Sequence, residues 1–266
     1  MLYLRHGFGR SIKKMKTICF YNHKGGVGKT TLTAAVAGEM ISEGKKVLIV
    51  DTDSQGNLSN QFNDNILKEL ADYLFEDSTT LQDVISRTRY DGLYLIPTKK
   101  LSNGGRLDKW ARTEATEAEN RNRIKNMVGE LKSLGLDYVL FDMPPSYTEL
   151  DKQVLLSSDE VVPVLDIDKY SIDGLSDFFK LLEKLKSGEK KPVLKGIVFN
   201  HYQKNKAVQK GLMPIIEKMD MQTYLLPSDE IFKKAAMQSR AVQALNGMKK
   251  DTQIVLSKIT KDLEAE

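Results

Sequence analysis

Short runs of β-branched and other apolar residues, five to seven residues long, recur along this chain and alternate with amphipathic stretches. They cover Thr17 to Asn22, Lys46 to Asp51, Leu93 to Pro97, Tyr138 to Asp142, Glu160 to Leu165, Leu194 to Asn200 and Gln222 to Leu226. Strands that are apolar at nearly every position are buried on both faces, and the alternation with amphipathic stretches predicts a doubly wound α/β fold, a mostly parallel sheet with helices on both faces. Ile172, Leu175, Phe178, Phe179, Leu182 and Leu185 follow Ser171 at helical spacing, which predicts a helix with Ser171 as N-cap and that stripe in the core. Residues 98 to 123 are polar, carry the turn Asn103-Gly104-Gly105 and the lone Trp110, and read as a loop and a helix at one edge. The tail from Asp251 carries Ile254, Val255, Ile259 and Leu263 on one apolar helical face.

Composition narrows the class without changing that outline. At 266 residues, 41% hydrophobic and 29% charged, the chain has the make-up of a soluble globular protein, and nothing splits residues 15–266 into two domains. Cys19 is the only cysteine, which excludes an internal disulfide or a cysteine cluster and suits a reducing cytoplasm. No apolar run approaches the roughly 18 to 20 residues of a membrane span. Residues 1–14 precede a start-like Met15-Lys16-Thr17 and read as a flexible basic N-terminal extension. The net charge of +4 is unevenly placed: Lys186 to Lys250 carries 13 basic against 5 acidic residues, and residues 17 to 185 stand at about −7. A basic C-terminal third on an acidic body suits a polyanionic partner, and a lysine-rich solvated surface would give the same count.

The chemistry concentrates at His23-Lys24-Gly25-Gly26-Val27-Gly28-Lys29-Thr30-Thr31, between an apolar strand and the helix-like Leu32 to Ala37. At such a strand-to-helix turn the free backbone N–H groups and the helix dipole favour an anion. The glycines let main chain wrap a phosphate, Lys29 can bridge β- and γ-phosphates, and the Thr30 hydroxyl can hold Mg²⁺. The strict phosphate-loop pattern places glycine where His23 stands, so this is a variant with an additional early lysine, Lys24. It resembles the deviant Walker A loop of the ParA/MinD family of partitioning and positioning ATPases.

That resemblance, running from about Met15 to Met248, implies a P-loop ATPase fold and several roles. Lys24 would reach across a dimer interface to the nucleotide of the partner subunit. Asp51-Thr52-Asp53-Ser54-Gln55-Gly56-Asn57 is similar to the family's second signature, with Ser54 in place of proline; it implies that Asp53 positions the attacking water and Asp51 supports the strand end. Asp142-Met143-Pro144-Pro145 is the third signature, and a carboxylate there suits a water-mediated contact to the Mg²⁺ whose direct ligand is Thr30. Pro144 and Pro145 would stiffen a loop that senses the γ-phosphate. Asn200 ends its strand with both a donor and an acceptor, which suits an adenine edge, and Pro227 and Asp229 occupy the place of the other base-side loop. Capping or turn roles are equally open to both.

The resemblance therefore implies a short ParA-type ATPase: ATP and Mg²⁺ as cofactors, an ATP-dependent homodimer, nonspecific double-stranded DNA and a ParB-like centromere-binding protein as partners, with Lys233, Lys234 and Arg240 as DNA contacts. A membrane-positioning ATPase of the MinD type would need a basic amphipathic tail, whereas this one ends Asp262-Leu263-Glu264-Ala265-Glu266 and suits packing on the body. A small-molecule phosphoryl-transfer or ligase-type enzyme would need an acceptor-binding cluster that the sequence does not display. The iron-sulfur reductase branch would need ligating cysteines beyond Cys19.

Overall fold

A computed structural model describes residues 14–63, 65–100, 105–185 and 192–265. The strands are β1 (Lys16–Tyr21), β2 (Val47–Asp51), β3 (Ser86–Arg87), β4 (Leu93–Ile96), β5 (Tyr138–Asp142), β6 (Glu160–Asp166), β7 (Val193–Leu194), β8 (Ile197–Tyr202) and β9 (Thr223–Pro227). They form one sheet in the order β3-β4-β2-β5-β1-β6-β8-β9, with β7 paired to β6. All pairings are parallel except that of β3 with β4.

Each apolar run of the sequence supplies a strand. The run from Leu194 to Asn200 differs in being divided between β7 and β8, because Gly196 lies between them at φ 154°, a conformation that favours glycine. β3 is too short and polar to stand out as an apolar run.

Helices α1 (Lys29–Ser42), α2 (Asn57–Phe62), α3 (Leu70–Phe75), α4 (Leu81–Val84), α5 (Arg106–Arg112), α6 (Arg123–Leu131), α7 (Glu149–Ser157), α8 (Lys169–Lys184), α9 (Ala207–Glu217), α10 (Glu230–Met237) and α11 (Lys250–Glu264) cover the sheet. Alternation along β1 shows how the two faces are filled. Ile18 and Phe20 enter the core shared with α1, α10 and α11, while Cys19 and Tyr21 enter the other, shared with α3, α5, α6, α7 and α8.

Three expectations shift. α8 begins at Lys169, so Ser171 lies inside the helix and is not its N-cap; Leu175, Phe178 and Leu185 are buried as expected, while the side chains of Ser171 and Ile172 lie outside the described residues. The segment after Gly105 forms α5, which packs against α3 and α7 with Trp110 fully buried, so it belongs to the core layer rather than to an edge. In α11, Leu256, Ile259 and Leu263 are buried against α1 and β9, but Ile254 is 56% exposed. The turn at Asn103-Gly104 and nearly all of the basic extension, residues 1–13, lie outside the described residues. Among the described residues no helix is long and apolar enough to cross a membrane.

Candidate active site

The chain runs from β5, on one side of β1, to β6 on the other, so the order of winding reverses at β1. The crevice beyond the carboxyl ends of strands at such a reversal is where ligands bind in open α/β sheets. Register brings the chemistry there: Phe20 of β1 and Asp51 of β2 are both level with Asp142 of β5.

Beyond Tyr21 the chain enters the glycine-rich loop and emerges as α1 at Lys29. Asn22 anchors the entry, accepting a hydrogen bond from Lys24 N at 2.9 Å and donating to Val164 O at 2.7 Å. Gly26 and Gly28 have φ of 79° and 93°. A Cβ on Gly28 would strike the Asn200 amide, so glycine is required there for conformation and for space. Val27 is buried, Gly25 and Gly26 are exposed, and Thr30 and Thr31 are half-buried at the start of α1. Lys29 is buried with its ammonium donating to Lys24 O at 3.2 Å. Burial lowers its pKa, against the pull of Asp142, Asp53 and Asp151.

Lys24 behaves differently. Its side chain is 41% exposed and reaches away from the cradle to Asp168 Oδ2 at 2.6 Å, with Asp166 Oδ2 at 3.7 Å. The hydrogen bond to Asp168 raises its pKa. His201 Nδ1 lies 2.8 Å from the other oxygen of Asp166, and His201 holds a positive φ of 54°. Asp166, Asp168 and His201 carried no motif in the sequence; Asp166 directly follows the apolar run from Glu160 to Leu165.

The two acidic signatures serve different purposes. Asp51 is fully buried and accepts from Ser59 N at 2.8 Å, Ser59 Oγ at 2.6 Å and Asp53 N at 3.1 Å. It fastens the start of α2 to the end of β2. Asp53 closes the following turn, accepting from Gln55 N at 2.9 Å through its side chain and from Gly56 N at 2.9 Å through its carbonyl. That turn is held without proline at Ser54. Asp142 is fully buried, yet neither carboxylate oxygen has a hydrogen-bond partner among the described residues. Burial, then the charge of Asp51, drive its pKa well above the usual carboxylate range, while the nearby Thr30 hydroxyl pulls it back. Two orphaned oxygens beside a threonine hydroxyl are hard donors of the kind Mg²⁺ takes.

On the base side, Asn200 is 4% exposed and donates to Val27 O at 2.9 Å. It is thereby tied to the phosphate loop, and because β8 continues to Tyr202, Asn200 lies within its strand and does not end it. Pro227 ends β9. Asp229 caps α10, accepting from Ile231 N at 3.2 Å and Lys249 N at 2.9 Å. Its partial burial opposes ionisation, but these two amides hold its pKa below the usual value. Lys233, Lys234 and Arg240 are all exposed, on α10 and the turn after it.

A buried cationic cradle at a helix N-terminus, facing strand-end carboxylates, defines a phosphate-loop nucleotide-binding protein, and similarity to known proteins gives the particular group. The family described as AAA domain matches residues 15–195, and the chain belongs to it. Within it the chain is similar to the chromosome-partitioning ATPase Soj of Treponema pallidum, at 30% identity over 70% of this chain and 72% of that one. It is likewise 30% identical to the chromosome partitioning protein ParA of Myxococcus xanthus, over 65% of this chain and 60% of its relative. In fold it matches the ATP complex of McdA from Cyanothece, with a TM-score of 0.81 at 18% identity over 96% of this chain and 98% of that one.

Proposed function

We propose that this chain is a DNA-partitioning ATPase. It binds ATP with Mg²⁺, pairs with a second copy in the ATP state, and in that state holds double-stranded DNA regardless of sequence. Hydrolysis, slow alone and stimulated by a ParB-like centromere-binding protein, releases it into the cytoplasm. The observation that carries this reading is the division of labour between two lysines. Lys29 is buried at the phosphate loop, whereas Lys24 extends outward to Asp168, more than its own cradle requires. A second cation at the rim suits a nucleotide held by another subunit.

Thr30 and Asp142 are the residues that would hold Mg²⁺, which when bound neutralises charge on the β- and γ-phosphates. Gly25 to Thr31 supply backbone amides and hydroxyls around the phosphates, and Asn200, Pro227 and Asp229 border the base. Asp53 is assigned to the attacking water. The partitioning names of the Treponema and Myxococcus relatives support the cellular role.

The test is duplex DNA binding with no nucleotide, with ADP, and with a nonhydrolysable ATP analogue across a salt series. Binding is expected with the analogue alone, insensitive to sequence and steeply weakened by salt as counterions are released. Replacing Lys233, Lys234 and Arg240 together by alanine is expected to flatten the salt slope by about three phosphate contacts. DNA binding that ignores the nucleotide would contradict the proposal, and unchanged binding by the triple variant would remove that surface from it.

A further inference from the structure

The loop between β5 and α7 carries Pro144 and Pro145, and at its α7 end one side chain gathers its hydrogen bonds. Asp151, the third residue of α7, is fully buried. Its Oδ2 accepts from Thr148 N at 2.6 Å, Thr148 Oγ1 at 2.8 Å and Ser146 Oγ at 3.2 Å. A capping box needs only the first of these. On the opposite flank, the Pro145 ring lies 3.7 Å from where a Cβ on Gly25 would stand. The segment from Pro145 to Thr148 is thus clasped between the phosphate loop and Asp151.

The carboxylates at the same capping position of the two other capping-box helices differ: Asp72 of α3 is paired with Arg106, and Asp83 of α4 is exposed. Asp151 instead lies within electrostatic range of Asp53 and Lys29. Burial pushes its pKa up to about 6, against the hydrogen bonds from Thr148 and Ser146. Its Oδ1 is buried with no hydrogen-bond partner among the described residues, so the carboxylate has capacity for one more donor.

The geometry points to Asp151 as a positioning residue for ATP hydrolysis: by gathering Ser146 and Thr148 onto one oxygen it fixes the Pro145–Thr148 loop against Gly25, and so sets the loop that meets the terminal phosphate. This assignment rests on the ATPase reading above. It also ties α7 to the loop beside Gly25, because the side chain that holds the loop belongs to the first turn of that helix.

Two variants separate positioning from capping. Asp151→Glu preserves a Thr-x-x-Glu capping box but moves the carboxylate by one methylene, about 1.5 Å. Asp151→Asn keeps the shape and removes the charge. Melting temperature, ATP affinity, KM and kcat are measured for both beside the wild type. In Asp151→Glu the melting temperature and ATP affinity are expected to stay near wild type while kcat falls about tenfold or more, the scale of a small misplacement near the reacting groups. Asp151→Asn is expected to lose kcat likewise, with KM changed less than threefold on the order of experimental comparison. Wild-type kcat in Asp151→Glu would reduce Asp151 to a helix cap and overturn the assignment. Wild-type protein that neither binds nor hydrolyses ATP would overturn the functional reading, and this assignment with it.

Discussion

Asp142 shows how a single residue can be at odds with its own fold. Its oxygens are buried and have no hydrogen-bond partner among the described residues, and with burial and Asp51 raising its pKa, folding takes up protons. The folded protein therefore loses stability as pH rises from the ordinary carboxylate value of 3.8 through the raised folded value, and keeps the full benefit only below 3.8. Asp142→Asn removes that charge. In the absence of nucleotide it is expected to raise the melting temperature by about 3 °C at pH 8, with the gain shrinking toward pH 4. Scanning fluorimetry over that range checks this, and a gain larger at pH 5 than at pH 8 would contradict the cause. The place of Asp142 at a strand end was legible from an apolar run ending in Asp-x-Pro-Pro, as that of Lys29 at a helix start was from Gly-Lys-Thr. Asp166, Asp168, His201 and Asp151 were not legible, because strand-end register and a buried helix turn bring them to the site from positions that share no local pattern.

At the scale of elements, the central strands β1, β2, β5 and β6 were legible because burial on both faces makes each a nearly continuous apolar run, whereas the polar two-residue β3 was not. The helices were less so. Trp110 sits in so polar a segment that α5 reads as marginal, yet one fully buried tryptophan anchors it between α3 and α7. α11 was legible as amphipathic, but its inward face runs through Thr252, Leu256, Ile259, Thr260 and Leu263 instead of including Ile254. Glu39 of α1 fastens it there, accepting from Gln253 Nε2 at 3.0 Å and from the Ser257 hydroxyl. Such a helix is structural rather than a detachable anchor. Leu256→Ala is accordingly expected to cost about 2 to 5 kcal/mol in denaturant unfolding, and a loss below about 0.5 kcal/mol, the scale of a surface change, would show that α11 is not packed in this way.

At the scale of the whole molecule, the sheet places the phosphate loop at its centre and exposes the rim that carries Lys24, Tyr147 and Tyr170. Within one chain Lys24 is held by Asp168 and Asp166. In the proposed dimer, pairing would exchange that ion pair inside the subunit for a contact with phosphate on the other, which would couple dimerisation to the presence of the γ-phosphate. The account rests on that exchange. Its most direct test is sedimentation velocity of Asp53→Ala, chosen to slow hydrolysis, with ATP and with ADP, beside the double variant that also carries Lys24→Ala. The account predicts a dimer of Asp53→Ala with ATP, a monomer with ADP, and a monomer of the double variant with ATP although it still binds the nucleotide within about tenfold of Asp53→Ala. A double variant that dimerises with ATP as readily as Asp53→Ala would contradict it.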